Sequence, residues 1–258
     1  MSESPQEKKI ATRLFVEEPL SQGVKIGLDH ARAHFLRSVL RLAQDAQLAV
    51  FNGRDGEWLA RIEGLGKGWA SLEVLELRRP QTPEPDLWLA FAPIKRGRID
   101  FLAEKAAEIG CARLLPVITR FTDVARVNTD RLAANAREAA EQCERLTVPE
   151  VAEPMKLSNL ADSWPAERRL ILCAEFGPAR PVAEALEEIG DTSGPLGVMT
   201  GPEGGFARSE LDALVELPFV TPVSLGPRIL RADTAALSAL ALCQALCGDW
   251  RARSDSRA

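Results

Sequence analysis

The sequence predicts an α/β protein in two parts: a β-rich N-terminal domain and a larger C-terminal domain built on a mostly parallel sheet. Three observations lead there. Residues 12–79 hold short β-branched and aromatic runs punctuated by Asn-Gly and Asp-Gly pairs, while beyond residue 86 five apolar runs alternate with amphipathic segments. Between them lies Arg79-Pro80-Gln81-Thr82-Pro83-Glu84-Pro85-Asp86, whose closely spaced prolines favour extended backbone and exclude regular pairing. The expected domains are therefore 1–79 and 87–258, with a linker at 80–86.

In the first domain, strands are expected near Gln47 to Phe51, Trp58 to Glu63 and Trp69 to Leu77, with hairpin turns at Asn52-Gly53, Asp55-Gly56 and Gly64 to Gly68. The glycine-rich Gly64 loop leads into a strand rather than a helix, so it is not a phosphate loop. One helix is expected near Asp29 to Leu40, capped by Asp29 and burying Phe35, Leu36, Val39 and Leu40.

In the second domain, the runs LWLAFAP, LLPVI, LILCAEF, LGVMT and VTPVSL read as strands. Helices are expected near Ile99 to Gly110, Thr129 to Leu146, Val182 to Ile189, Ser209 to Leu217 and Asp233 to Cys247. This alternation implies parallel strands with helices on both faces. Ala, Leu and Cys occupy nearly the whole circumference of the last helix, so it must be covered on more than one side, within the core or at a subunit interface. The tail, 251–258, reads as a frayed end.

Composition excludes several classes. The 258 residues carry 46% hydrophobic content, enough for a real core, and a net charge of −5, which argues against non-specific coating of nucleic acid. Residues 1–80 hold twelve Lys or Arg against eleven Asp or Glu, and the remainder 20 against 26, so the first domain is the better RNA face. The opening MSESPQEKKI lacks the apolar run of a signal peptide, and no stretch is long and apolar enough to span a membrane, so a cytoplasmic location is expected. Five cysteines stand without CxxC spacing, so neither a zinc site nor a disulfide framework is expected.

The stretch Leu196 to Phe206, LGVMTGPEGGF, runs an apolar strand into a glycine-rich loop and then a helix. Gly201, Gly204 and Gly205 can take positive φ and let backbone N–H groups approach a small molecule. Glu203, the only charged group in the turn, suits a cationic or hydroxyl-rich ligand better than a phosphate. A Walker loop would need Lys and Ser or Thr where Phe206 and Ala207 stand, and GxGxxG is absent. Alone, the loop reads more readily as a structural turn between a strand and a helix. A second such turn, in Val223 to Ala235, VSLGPRILRADTA, provides the other wall of a pocket outside strand C-termini.

With this spacing, GPEGGF and LGPRILR resemble the two signature loops of the small-subunit ribosomal RNA methyltransferases that act on uridine N3, the methyltransferase E family of the SPOUT superfamily. The resemblance extends along most of the chain: Arg13-Leu14-Phe15, His34 to Arg41, Lys95, Arg98, Glu104 to Gly110, Glu141 to Arg145 and Val148-Pro149-Glu150. Departures from the pattern are Asp233 in place of Glu, Ala232 in place of Thr, and Leu146 in place of Asn. Ala207 replaces a helix-capping Ser, a loss of about 0.5–2 kcal/mol unless the helix starts instead at Ser209, paired with Asp212.

The resemblance implies a small PUA-like β-barrel followed by a SPOUT domain with a C-terminal trefoil knot, and a homodimer. It implies S-adenosylmethionine as cofactor and 16S rRNA of the small ribosomal subunit as partner, with no metal and no membrane. The cofactor residues it implies are Thr200, Gly201, Pro202, Glu203, Gly204 and Gly205 in the first loop, and Leu225, Gly226, Ile229, Leu230 and Thr234 in the second. Removing the uridine N3 proton spreads charge onto the flanking oxygens, which an arginine can hold; Arg231 is the first choice and Arg228 the second. Glu203 and Asp233 are both candidate bases, and water is a third acceptor. His34, Arg37 and Arg41, at i, i+3, i+7 on one helical face, are expected to contact RNA, together with Arg13, Arg54, Lys95, Arg96 and Arg98. Two other readings stay open: a ribose 2′-O-methyltransferase of tRNA or rRNA, and a non-catalytic ribosome assembly factor.

Overall fold

The computed structural model describes residues 10–95, 97–124, 126–174, 177, 179–190 and 194–251. Arg96 and residues 252–258 of the expected frayed end 251–258 lie outside the described residues, as does the end of LILCAEF at Glu175 and Phe176, while Arg251 closes a 3-10 turn, Asp249–Arg251. The chain divides into two compact units. One runs to Pro83 and takes in Ala140–Thr147; the other comprises Glu84–Ala139 and the chain from Val148 onward.

In the first unit, β1 (Arg13–Phe15), β2 (Lys25–Leu28), β3 (Gln47–Phe51), β4 (Glu57–Gly66) and β5 (Trp69–Arg79) form one sheet in the order β1-β3-β4-β5-β2. Only the β1–β3 pairing is parallel, with Leu14 opposite Val50. One face closes over a core of Leu14, Ile26, Leu36, Leu48, Val50, Ile62 and Leu72. Gly56 (φ 82°) ends the Asn52 turn where a Cβ would stand 2.3 Å from the Arg79 carbonyl, so the chain needs glycine there.

The expected helix is shorter and irregular. Asp29 caps α1 (His30–His34), its carboxylate accepting from the Arg32 N–H at 2.8 Å. A π turn then spans Phe35–Val39, closed by Leu40 N–H to the Phe35 carbonyl at 3.0 Å. The wider turn rotates its last residues away from a regular helical face, leaving Val39 60% exposed instead of buried.

The segment Ala140–Thr147 belongs to this unit through hydrogen bonds as well as packing. Arg13 Nη1 donates to the carbonyls of Ala140 (2.9 Å) and Glu141 (3.0 Å), and Nη2 to that of Arg145 (2.7 Å). The first two are orphan carbonyls of a helix's last turn, which a guanidinium satisfies well. Beneath them the carboxylate of Glu57, 1% exposed, takes Arg13 at 2.6 Å, Arg79 at 2.8 Å and Arg78.

In the second unit, a parallel sheet runs β11-β13-β10-β12-β6-β7-β8. The strands are β6 (Leu87–Phe91), β7 (Arg113–Ile118), β8 (Glu150–Val151), β10 (Arg169–Cys173), β11 (Arg180–Pro181), β12 (Leu196–Thr200) and β13 (Val220–Ser224), with β9 (Met155–Lys156) extending the pairing along β7. Alternate residues feed two cores. Leu87, Leu89, Phe91, Ile171 and Val198 face α2 (Arg98–Ile109), α3 (Thr129–Gln142), α5 (Val182–Ile189) and α7 (Ala232–Cys247). Ala90, Leu115, Leu172 and Met199 face α4 (Leu157–Ser163) and α6 (Arg208–Val215). The sheet is thus covered on both faces, as all-parallel sheets require.

Helix ends follow local chemistry. Gly110 (φ 101°) stops α2, and α3 ends at Gln142, four residues before the expected Leu146, because Glu144 turns to φ 65°. The start of α6 does not move to Ser209: it begins at Arg208 behind Ala207, and Glu210 Oε2 accepts from the Ala207 N–H at 3.0 Å. Half of the capping box therefore survives the loss of Ser. The final helix packs against α2, α5, β6 and β12, and its buried Gln244 donates to the Ile109 carbonyl at 2.9 Å.

Candidate active site

Strand β10 lies between β12 and β13, with Cys173 opposite both Thr200 and Val223. The loops leaving β12 and β13 therefore emerge one strand apart, on the carboxyl edge of the sheet, where ligand crevices of α/β proteins form. They wall one cavity of about 570 Å³, within the size range of small-molecule sites.

In the first loop, the Gly205 N–H donates to the Pro202 carbonyl at 2.9 Å, closing a tight turn. Only Gly205 takes positive φ there (71°); Gly201 and Gly204 do not. A Cβ on Gly201 would stand 3.0 Å from the Phe206 ring, a tight contact that the ring would have to relieve by shifting. A Cβ on Gly204 would meet only ordinary contact, 3.4 Å from Phe121. In the second loop, Gly226 turns at φ 105° and the chain then presents Arg228, Ile229 and Arg231 outward.

The charged group that organises the cavity comes from α2. Arg98 Nη1 binds Glu203 Oε1 at 3.2 Å and Nη2 binds Asp233 Oδ2 at 3.1 Å, so one guanidinium joins the first loop to the start of α7. Asp233 is the more buried carboxylate, its side chain 11% exposed against 42% for Glu203. Its other oxygen accepts from the Thr234 N–H at 2.9 Å. Cys173 forms part of the cavity floor, and burial pushes its thiol up to about 12, so it stays protonated and is no nucleophile near neutral pH.

Residues 81–244 match the family model for an RNA methyltransferase domain, and residues 28–75 that for an RNA methyltransferase PUA domain. The ribosomal RNA small subunit methyltransferase E of Rickettsia conorii is 34% identical, covering 89% of this chain and 93% of its own. The chain belongs to the ribosomal RNA small subunit methyltransferase E family. The methyltransferase E of Synechocystis is 30% identical over 92% of this chain and 78% of its own. Among solved structures, the Neisseria gonorrhoeae methyltransferase E bound to S-adenosyl methionine aligns with a TM-score of 0.82 at 30% identity, covering 93% of this chain and 99% of that one. A Legionella pneumophila methyltransferase in complex with the cofactor SAM aligns at 0.79 and 29%, covering 92% and 98%.

In this chain, Thr200 to Gly205 line the cavity from one side and Leu225, Gly226, Ile229 and Leu230 from the other. Arg228 and Arg231 also line it, both exposed and without an ion-pair partner among the described residues. Thr234 does not line it; it sits in the first turn of α7 with its N–H on Asp233. Sequence reasoning missed Cys173 and Ala174, which line the floor at the end of β10. Their position after an apolar run pairing with LGVMT was the available signal.

The residues expected on RNA separate. Arg13 is committed inside the first unit, its side chain 9% exposed, so its guanidinium is a helix clamp rather than a surface contact. Arg98 faces carboxylates in the cavity. His34 and Arg37 are exposed, but the π turn and the φ of 54° at Arg41 break the single i, i+3, i+7 face. Arg54 is exposed, donating to the Glu17 carbonyl at 2.8 Å, and Lys95 is exposed ahead of α2. Among the described residues, no group of three or more His, Cys, Asp or Glu is placed to hold a metal, and no helix is long and apolar enough to cross a membrane.

Proposed function

We propose that this protein transfers a methyl group from S-adenosylmethionine to N3 of a uridine in 16S rRNA of the small ribosomal subunit. The observation that carries this reading is the convergence of two glycine-bearing loops on one cavity, whose mouth presents two arginines without an ion-pair partner among the described residues. The residues fit the cofactor. Apolar side chains and backbone at Leu225, Gly226, Ile229 and Leu230 suit an adenine ring, and Glu203 suits a cationic ligand.

When bound, S-adenosylmethionine supplies an electrophilic methyl on a sulfonium centre. The chain's own work is positioning and charge. Arg231, at the N-terminal boundary of α7, holds the pyrimidine oxygens on which negative charge grows as N3 loses its proton, and Arg228 assists. Asp233 is buried and serves Arg98, so Glu203 is the carboxylate that reaches substrate. Its Oε2, the oxygen not engaged by Arg98, takes the N3 proton.

The reading includes a barrel-like closure of the first unit, a SPOUT trefoil knot in the second, a homodimer, and a cytoplasmic location where ribosomal subunits are assembled. Its RNA contacts are His34, Arg37, Arg41 and Arg54 in the first unit and Lys95 in the second. The test is methyl transfer to purified small subunits, read by mass spectrometry of the nucleosides. N3-methyluridine is expected; a ribose-methylated nucleoside would move the chemistry to a hydroxyl, and no methyl gain would leave an assembly factor.

A further inference from the structure

We propose that Phe121 is a stacking platform for a nucleobase of the substrate RNA, a subsite that rests on the RNA methyltransferase reading above. After β7 the chain turns through Thr119–Thr122 and is held firmly there. The Thr119 N–H donates to Thr122 Oγ1 at 2.9 Å, the Thr122 N–H to the Thr119 carbonyl at 3.2 Å, and the two hydroxyls meet at 3.0 Å. The Arg120 N–H is anchored on Glu210 Oε1 of α6 at 2.8 Å. On this fixed turn Phe121 stands 46% exposed.

Its place says what covers it. Phe121 shares a shallow crevice with Lys95, Asp123, Pro202 and Glu203, so the ring borders the loop carrying the proposed proton acceptor. The Phe121 Cβ lies 3.4 Å from where a Cβ on Gly204 would stand. Two cations attend it: Arg120, its Cζ 6.0 Å from the ring centroid, and Lys95, without an ion-pair partner among the described residues. Asp123 is the opposing charge in the crevice. An aromatic face flanked by cations, next to a site that must receive a base, is the arrangement by which proteins take unstacked nucleotides.

The test measures binding of purified small ribosomal subunits to the full-length protein and to Phe121→Ala, Phe121→Leu and Phe121→Trp, alongside cofactor titration and sedimentation. Phe121→Ala and Phe121→Leu should weaken subunit binding about 5- to 100-fold while Phe121→Trp keeps it, because every base stacks on a π-face and none stacks on leucine. Cofactor affinity should not change, since Phe121 does not line the cavity. Wild-type binding by the Leu variant, or by the Ala variant, overturns the platform, as does a wild-type protein that binds no subunits. A change of oligomeric state with RNA affinity intact would instead make Phe121 a contact for a second copy of this chain. If the aromatic requirement holds but no methyl is transferred, the catalytic reading fails and the platform stands. Should the Ala variant not fold, the comparison of Leu with Trp decides.

Discussion

Arg98 and Asp233, 135 positions apart in the chain, are joined at 3.1 Å, and the same guanidinium reaches Glu203 at 3.2 Å. Removing the arginine leaves a largely buried carboxylate without its cation and frees the first loop from α7. For Arg98→Gln, cofactor affinity should fall by about 1.5–3 kcal/mol, roughly ten-fold or more, measured by isothermal titration calorimetry. Arg98→Lys, a single point of charge, should recover only part of this because it cannot serve both carboxylates in a fork.

Arg231→Ala should leave cofactor affinity unchanged and lower kcat about 10²–10³-fold, the range for losing one donor to a developing anion. Single-turnover transfer from labelled cofactor to small subunits checks it. Arg228→Ala should cost less. Equal turnover by Arg231→Ala and wild type would remove Arg231 from the site.

The two adjacent glycines of the first loop should behave differently. Gly205 sits at φ 71°, so Gly205→Ala should cost about 1–2 kcal/mol and weaken cofactor binding. Gly204 has no positive φ and meets only ordinary contact, so Gly204→Ala should change stability by about 0.5 kcal/mol or less. Thermal melts with and without cofactor separate them.

Glu57 contributes to the acid stability of the first unit. Burial pushes its carboxyl up, but hydrogen bonds and charge from Arg79 and Arg13 outweigh that and hold it below the usual carboxylate range. A depressed folded-state pKa stabilises the fold above the unfolded value, and that contribution is lost as pH falls through the folded one. The melting temperature should therefore drop only as pH falls below the usual carboxylate range. Glu57→Gln should cost about 3 kcal/mol at neutral pH and flatten the acid slope, followed by circular dichroism.

The second unit is legible because β6, β7, β10, β12 and β13 are apolar runs of five or six residues, long enough for a pattern, whereas β8, β9 and β11 have two residues each; Gly110 ends a helix by backbone geometry alone. The short β1 and β2, with three and four residues, carry too few alternations to stand out, and α4 is seven residues long. The π turn at Phe35–Val39 has no period to read: the side chains look helical, and the extra residue per turn appears only in which carbonyl Leu40 bonds.

The site divides along the same line. Loop glycines are visible since few other residues permit such bends, although which glycine needs positive φ depends on the folded turn. Arg98 reads as an RNA contact because nothing local pairs it; its partners lie on the other side of the sequence. Arg13 misleads for the same reason, its carbonyl acceptors lying more than a hundred residues downstream.

The central claim is tested most directly by mass-spectrometric mapping of 16S rRNA from small subunits incubated with the protein and S-adenosylmethionine. Gain of one methyl on a uridine base at N3 is the predicted result; a methyl on ribose, or none at all with active cofactor bound, would contradict it.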